Sequence, residues 1–284
     1  MVKTFSPKTK AEALEVLANN NVYILAGGSD LMVMKKNTAG LAPKFDKPVM
    51  YISNIDELHY VRDLEDGVHI GATNTLDEIA HDKSTPSLLK KAIGEVASIN
   101  IRHFATLPGN IANASPAGDT TVVDVLLDAI IVLESKSGIR KVLAKDFVLG
   151  VRKIDRHEDE MITEIIFPHH DYNGEMWFKV GSRKADSISK VSVAGAYKVN
   201  NGKVEKFALA FGSVSIKVCR SLEIEHEIEG MSISELESKK DSIVEKYSHI
   251  ISPIDDQRSN KEYRQKVAMN ICAEFLNQII KGGK

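Results

Sequence analysis

The sequence predicts an α+β fold in two domains, and three patterns lead there. From residue 10 to residue 168, short apolar runs rich in strand formers alternate with segments of helical spacing. A polar, turn-rich stretch at 169–174 breaks the pattern and divides a domain over 1–170 from one over 171–284. Beyond it, three strand-like segments precede two long helical ones, the order of an α+β carboxy-terminal domain.

Taken in order, residues 10–19 (KAEALEVLAN) carry apolar side chains at helical spacing and stop at Asn19-Asn20-Asn21. Residues 22–26 (VYILA) read as a strand ending at Gly27-Gly28. Ser29 and Asp30 are good helix N-caps for a short helix, LMVMKK, with its basic residues last. Strands are expected at 49–52 and 68–70. Thr75 opens a T-L-D-E capping box for the helix that holds Ile79 and Ala80. Residues 88–101 read as one helix and 106–119 as a polar loop. A helix over 121–127, a strand over 129–134 and a strand at 162–168 closed by Pro168 complete the first domain. In the second, strands are expected at 176–180, 191–199 and 203–211, the last two joined by a turn at 200–202, and helices at 232–250 and 262–280.

The 284 residues are 43% hydrophobic and 27% charged, which is ordinary for a globular chain. A net charge of -2 gives no electrostatic reason to expect nucleic acid or an anionic membrane as partner. No apolar run nears the roughly 18 residues of a membrane span, and no signal-peptide apolar region follows Met1. Cys219 and Cys272 stand far apart without metal spacing, which suits a reducing cytoplasm. Alone they cannot hold an iron–sulfur cluster or a structural zinc, so any such chemistry must come from another chain. The adjacent His169 and His170 read as solvent-exposed.

Two stretches carry the candidate chemistry. At 24–31 (I-L-A-G-G-S-D-L) a strand runs through two glycines into a helix. Such a turn lets a phosphate approach backbone N–H groups, with the helix dipole and the Ser29 hydroxyl in support. An ordinary glycine-containing β–α connection has the same pattern, and neither the G-x-G-x-x-G nor the Gly-Lys-Ser/Thr fingerprint is present. At 106–119 (T-L-P-G-N-I-A-N-A-S-P-A-G-D) a polar stretch is bracketed by apolar runs and must satisfy its polar groups with something, such as a large polar ligand. Asp119 is either an acceptor for ligand hydroxyls or the cap of the following helix. Asn110 and Asn113 are either ligand contacts or turn formers. Two such turns beside apolar strands suit a dinucleotide with two phosphates.

With I-G-A-T-N-T-L-D-E-I (70–79), I-R-H-F-A-T-L-P-G-N-I-A-N-A-S-P-A-G-D (101–119), F-K-V-G-S-R-K-A-D (178–186) and P-I-D-D-Q-R-S-N-K-E-Y-R (253–264) in order, the chain resembles the FAD-binding medium subunit of the molybdenum hydroxylases, the family of xanthine, nicotinate and carbon monoxide dehydrogenases. The resemblance covers nearly the whole chain. It implies a two-lobed FAD domain of the vanillyl-alcohol oxidase / p-cresol methylhydroxylase type, with lobes near 1–53 and 54–170, followed by a small α/β domain. It implies a first pyrophosphate loop of Ile24, Leu25, Ala26, Gly27, Gly28, Ser29, Asp30 and Leu31. Ala97, Thr106, Gly109, Asn110, Asn113, Ser115 and Asp119 would line the other side of FAD. Ile162, with Met161 beside it, matches an apolar contact on the flavin ring, and Lys179 a basic residue close to it. Asp186 falls at the approach of the nicotinamide nucleotide. The resemblance further implies a molybdopterin-binding large subunit, a small subunit with 2Fe-2S clusters, and transfer of electrons through FAD to NAD⁺ or another acceptor. Read without the family, Ile162 is a core residue, Lys179 a solvated surface lysine, and Arg183-Lys184 either attracts phosphates or is a solvated turn.

Pro108 departs from the family's usual glycine and removes one N–H donor from the second loop. A flavin-binding assembly module without redox role is therefore an alternative, as is a self-contained flavoprotein oxidoreductase. No cysteine-bearing insertion is present, so no 4Fe-4S cluster is expected in this chain.

Overall fold

The structure, a computed structural model, describes residues 2–282. Its first sheet is parallel, with strand Val49–Tyr51 between Thr4–Phe5 and Tyr23–Leu25. Parallel strands need a crossover, and helix Lys10–Asn19 supplies the one between the two outer strands. Thr9 starts that helix by accepting from the N–H of Glu12 at 3.1 Å. Ala13, Leu14 and Leu17 then pack with Met50, Ile52 and Ile55.

The second sheet is antiparallel throughout, in the order Val61–Leu64, Gly67–Gly71, Met161–Phe167, Ile130–Ser135, Gly138–Leu143. Helices Leu76–His81, Ser87–Gly94, Leu107–Ala112 and Asp119–Leu126 share its core through Leu76, Leu88, Leu107 and Val122, packed with Ile70, Leu133 and Ile165. The third sheet orders Gly174–Val180, Val191–Asn200, Lys203–Gly212 and Cys219–Arg220, again antiparallel. Helices Leu222–Ile228, Ile233–Ile250 and Lys261–Gly282 belong to its core, where Phe207, Phe211, Tyr247 and Phe275 are buried. Helix Asp119–Leu126 is buried at every residue because it also packs on strands Val191–Asn200 and Lys203–Gly212 of the second domain.

Mixed helix and sheet in this order is the α+β architecture the sequence predicts. The capping box at Thr75 is present, with both reciprocal hydrogen bonds to Glu78. Four details differ. Residues 88–101 are two helices, Ser87–Gly94 and Ile99–Arg102, because Ala97 turns left-handed (φ 44°) and Ser98 caps anew. The stretch 106–119 is not wholly loop. Thr106 accepts from the N–H of Gly109 at 3.2 Å and starts helix Leu107–Ala112. Pro108 is buried in its first turn, where an N–H has no intrahelical partner to lose. The next helix starts at Asp119 rather than 121. His169 is exposed as expected, but His170 is half-buried, stacked on Tyr172 at 5.2 Å with Nε2 at 2.9 Å from the Leu127 carbonyl. Among the described residues no helix is long and apolar enough to cross a membrane.

His69, on strand Gly67–Gly71 of the second sheet, has Nδ1 at 3.0 Å from Glu164 and Nε2 at 2.9 Å from Asp66. Only a doubly protonated ring donates to both. Burial disfavours that charge, but the hydrogen bonds to Asp66 and Glu164 outweigh it and raise the pKa above 6.5. The stabilisation is therefore complete below 6.5 and lost as pH rises through the higher folded value. Thermal melts of wild type and His69→Gln should show a wider gap at about pH 6 than at about pH 8.5. An equal gap at both would refute this origin of the stabilisation.

Candidate functional site

The first polar turn leaves strand Tyr23–Leu25 at Ala26. A Cβ on Gly27 would lie 1.6 Å from the carbonyl oxygen of Phe104, so glycine is what lets the 104–105 backbone run against it. That contact falls just before the second polar stretch, distant in sequence from the first. Gly28 has φ 70°, a left-handed conformation glycine takes without strain. The following helix, Leu31–Met34, is a single turn, so backbone donors rather than a sizeable helix dipole characterise this bend. Asp30 makes no side-chain cap; its carboxylate accepts from Arg152 at 2.8 Å.

In the second stretch, Asn113 accepts from the same Arg152 guanidinium, and Asn110 accepts from the Thr120 hydroxyl at 3.1 Å. Ser115 accepts from the N–H of Ala117 at 3.3 Å, and the Pro116 carbonyl accepts from the N–H of Ser213 in the second domain at 2.9 Å. Asp119 neither caps its helix nor faces water. One oxygen accepts from Lys179 at 2.7 Å and the other from Ser189 at 2.5 Å. Lys179 also donates to the Glu95 carbonyl at 2.7 Å. The Lys179 and Asp119 side chains are only 5% and 8% exposed, so Lys179 is not the solvated surface residue its alternation suggests. Burial raises the Asp119 pKa, against the pull of Lys179 and Ser189.

These elements enclose a groove of about 950 Å³ between the domains. Asp30, Ala97, Asn110, Asn113, Ser115 and Asp119 line one side; Asp186, Ile188, Ser189, Ser213 and Arg264 line the other. A cleft of about 350 Å³ beside it is lined by Glu95, Trp177, Lys179, Arg183 and Lys184. Ser213 and Arg264 line the groove, and Ser213 Oγ and Arg264 Nε are buried there without hydrogen-bond partners. The remaining guanidinium nitrogens of Arg264 hold the carbonyls of Lys190 and Ser213 at 2.7 and 2.8 Å and Asp256 at 2.8 Å, so the 253–264 motif braces this wall.

The other predicted residues do not line the groove. Ile24, Leu25, Ala26, Gly27, Gly28, Ser29 and Leu31 form the strand, bend and helix turn that carry Asp30. Thr106 is a buried N-cap and Gly109 an exposed residue of the short helix. Ile162 pairs with Leu133 across the second sheet and is 7% exposed, and Met161 is fully buried. Sequence reasoning missed Arg152, Ser189, Ser213 and Arg264 as site residues. Only Arg264, inside the 253–264 motif, left a local signal. Among the described residues no cluster of three or more acidic, histidine or cysteine side chains is arranged to hold a metal.

Residues 1–170 match the family described as the FAD binding domain in molybdopterin dehydrogenase, and 176–279 match the CO dehydrogenase flavoprotein C-terminal domain. The glyceraldehyde dehydrogenase medium chain of Sulfolobus acidocaldarius is 36% identical over 272 residues, 94% of each chain. The nicotinate dehydrogenase FAD-subunit of Eubacterium barkeri is 34% identical and covers 70% of each chain. The fold is that of a chain of carbon monoxide dehydrogenase from Hydrogenophaga pseudoflava, with a TM-score of 0.87 at 24% identity over 97% of this chain and 96% of that one.

Removing one partner of a buried ion pair leaves the other charge uncompensated, at a typical cost of about 3–5 kcal/mol. Lys179→Met should destabilise by about that amount, and adding Asp119→Asn should recover most of it in urea denaturation. Equal stability of the Lys179→Met and double variants would show that the pair is not coupled.

Proposed function

The chain belongs to the FAD-binding medium subunits of the molybdenum hydroxylases, and we propose that it is the subunit through which electrons leave such a complex. The observation that carries the reading is the groove where two glycine-bearing polar stretches meet, with buried polar atoms still lacking partners on its wall. When bound, FAD supplies the redox chemistry, taking electrons from 2Fe-2S clusters of a small subunit, downstream of a molybdopterin-binding large subunit, and yielding them to NAD⁺ or another acceptor.

This chain's own residues bind, position and shield. The backbone N–H groups of Gly27, Gly28 and Ser29 and the Ser29 hydroxyl, on the bend that carries Asp30 to the groove, would hold one phosphate; Asn110, Asn113 and Ser115, on the groove wall, would supply the opposite side. Asp119, on the groove wall, and Lys179, in the adjoining cleft, would lie beside the flavin ring. Because Lys179 is paired with Asp119, the ring would meet an ion pair rather than a free cation. Pro108, buried in a helical turn, takes no donor from the groove, which removes the feature that favoured an assembly module. Exposed Arg183 and Lys184, with Asp186 near them, offer charge for the phosphates of a nicotinamide nucleotide.

The test is purification of the full chain followed by addition of FAD and then NADH under argon. A flavin spectrum, a melting temperature raised by roughly 5–10 °C at about a hundredfold excess over Kd, and bleaching by NADH are expected. A folded chain that stays colourless with excess FAD would end the cofactor reading. Flavin that dithionite bleaches and NADH does not would replace NAD⁺ with another acceptor.

A further inference from the structure

Arg152 stands at the tip of the hairpin between strands Val148–Gly150 and Lys153–Ile154, outside both polar stretches. Its backbone is left-handed, φ 57°, a conformation that strains any residue with a Cβ and that tends to persist where the side chain is held for a purpose. Three hydrogen bonds hold it. The guanidinium donates to Asp30 at 2.8 Å and to Asn113, and the backbone N–H donates to the Ala114 carbonyl at 3.0 Å. Asp30 ends the first bend; Asn113 and Ala114 belong to the second. The side chains of Arg152, Asp30 and Asn113 line the groove, and Ala114 is buried behind it. The Arg152–Asp30 pair is about half exposed, 47% and 45%, and a pair so wet adds little to fold stability. Its consequence is local: it fixes the distance between the two bends and compensates a carboxylate that would otherwise repel two phosphates.

We infer that Arg152 is a positioning residue that clips the two nucleotide-binding bends together at the spacing a diphosphate requires. The inference rests on the FAD reading above. A planar fork with several fixed donors suits the role, since one guanidinium engages acceptors on both bends at once.

The test is a double-mutant cycle on the full chain, with FAD and riboflavin titrated separately by flavin fluorescence. Riboflavin lacks the diphosphate and serves as control. Arg152→Gln and Asp30→Asn are each expected to weaken FAD on the order of tenfold, to leave riboflavin unchanged, and to be no worse combined than singly. Melting temperatures should stay within a few degrees of wild type. Losses that add, equal weakening of riboflavin, or collapse of either variant's fold would overturn the clip. Tighter FAD binding by Asp30→Asn would also overturn it, because a guanidinium freed from Asp30 would then be a direct phosphate ligand. A folded wild type that binds FAD while the variants fail the cycle would sink the clip alone; a folded wild type that binds no FAD would sink the cofactor reading with it.

Discussion

Helix Asp119–Leu126 is clamped at both ends by the second domain, and the rest of the molecule is arranged around that clamp. At its first turn Asp119 receives Lys179 and Ser189; at its last, the Val125 and Leu126 carbonyls and Asp128 receive the Arg220 guanidinium. A carboxylate at a helix start and a cation at its end both favour the backbone dipole. Neither cation belongs to the domain that owns the helix. A helix wholly buried between two sheets has to satisfy its terminal groups with protein, and here it does so across the domain seam.

The groove inherits its shape from that seam. Because Asp119 is anchored, the segment 110–118 that precedes it runs along a fixed edge, and the Pro116 carbonyl meets Ser213 of the facing domain. Arg264 in turn holds the Ser213 and Lys190 carbonyls. Side chains far apart in the chain thus build one wall, which leaves the two glycines free to serve backbone geometry.

What was legible in the sequence was local. Strands announced themselves by β-branched runs, and Thr75 with Glu78 gave a helix start that the hydrogen bonds reproduce. Asp30, Asn110, Asn113, Ser115 and Asp119 stood in motifs that converge on one groove, to which the family resemblance added Ala97. Helix Leu107–Ala112 stayed hidden because proline, glycine and asparagine within six residues imitate a loop, whereas proline in a first turn costs nothing. Ala97 hid for the opposite reason, since nothing about an alanine announces a left-handed turn. Arg152 joins Asp30 across 122 positions and Ser189 joins Asp119 across 70, and no local pattern encodes such a meeting.

The Lys179–Asp119 contact limits how modular the protein is. A fragment cut at the 169–174 boundary would keep Asp119 and lose its lysine, its serine and the sheet that shelters them. The severed first half would present a stranded carboxylate and a bare apolar helix flank to solvent, an invitation to self-association. Its two halves are units of architecture, then, and not interchangeable parts.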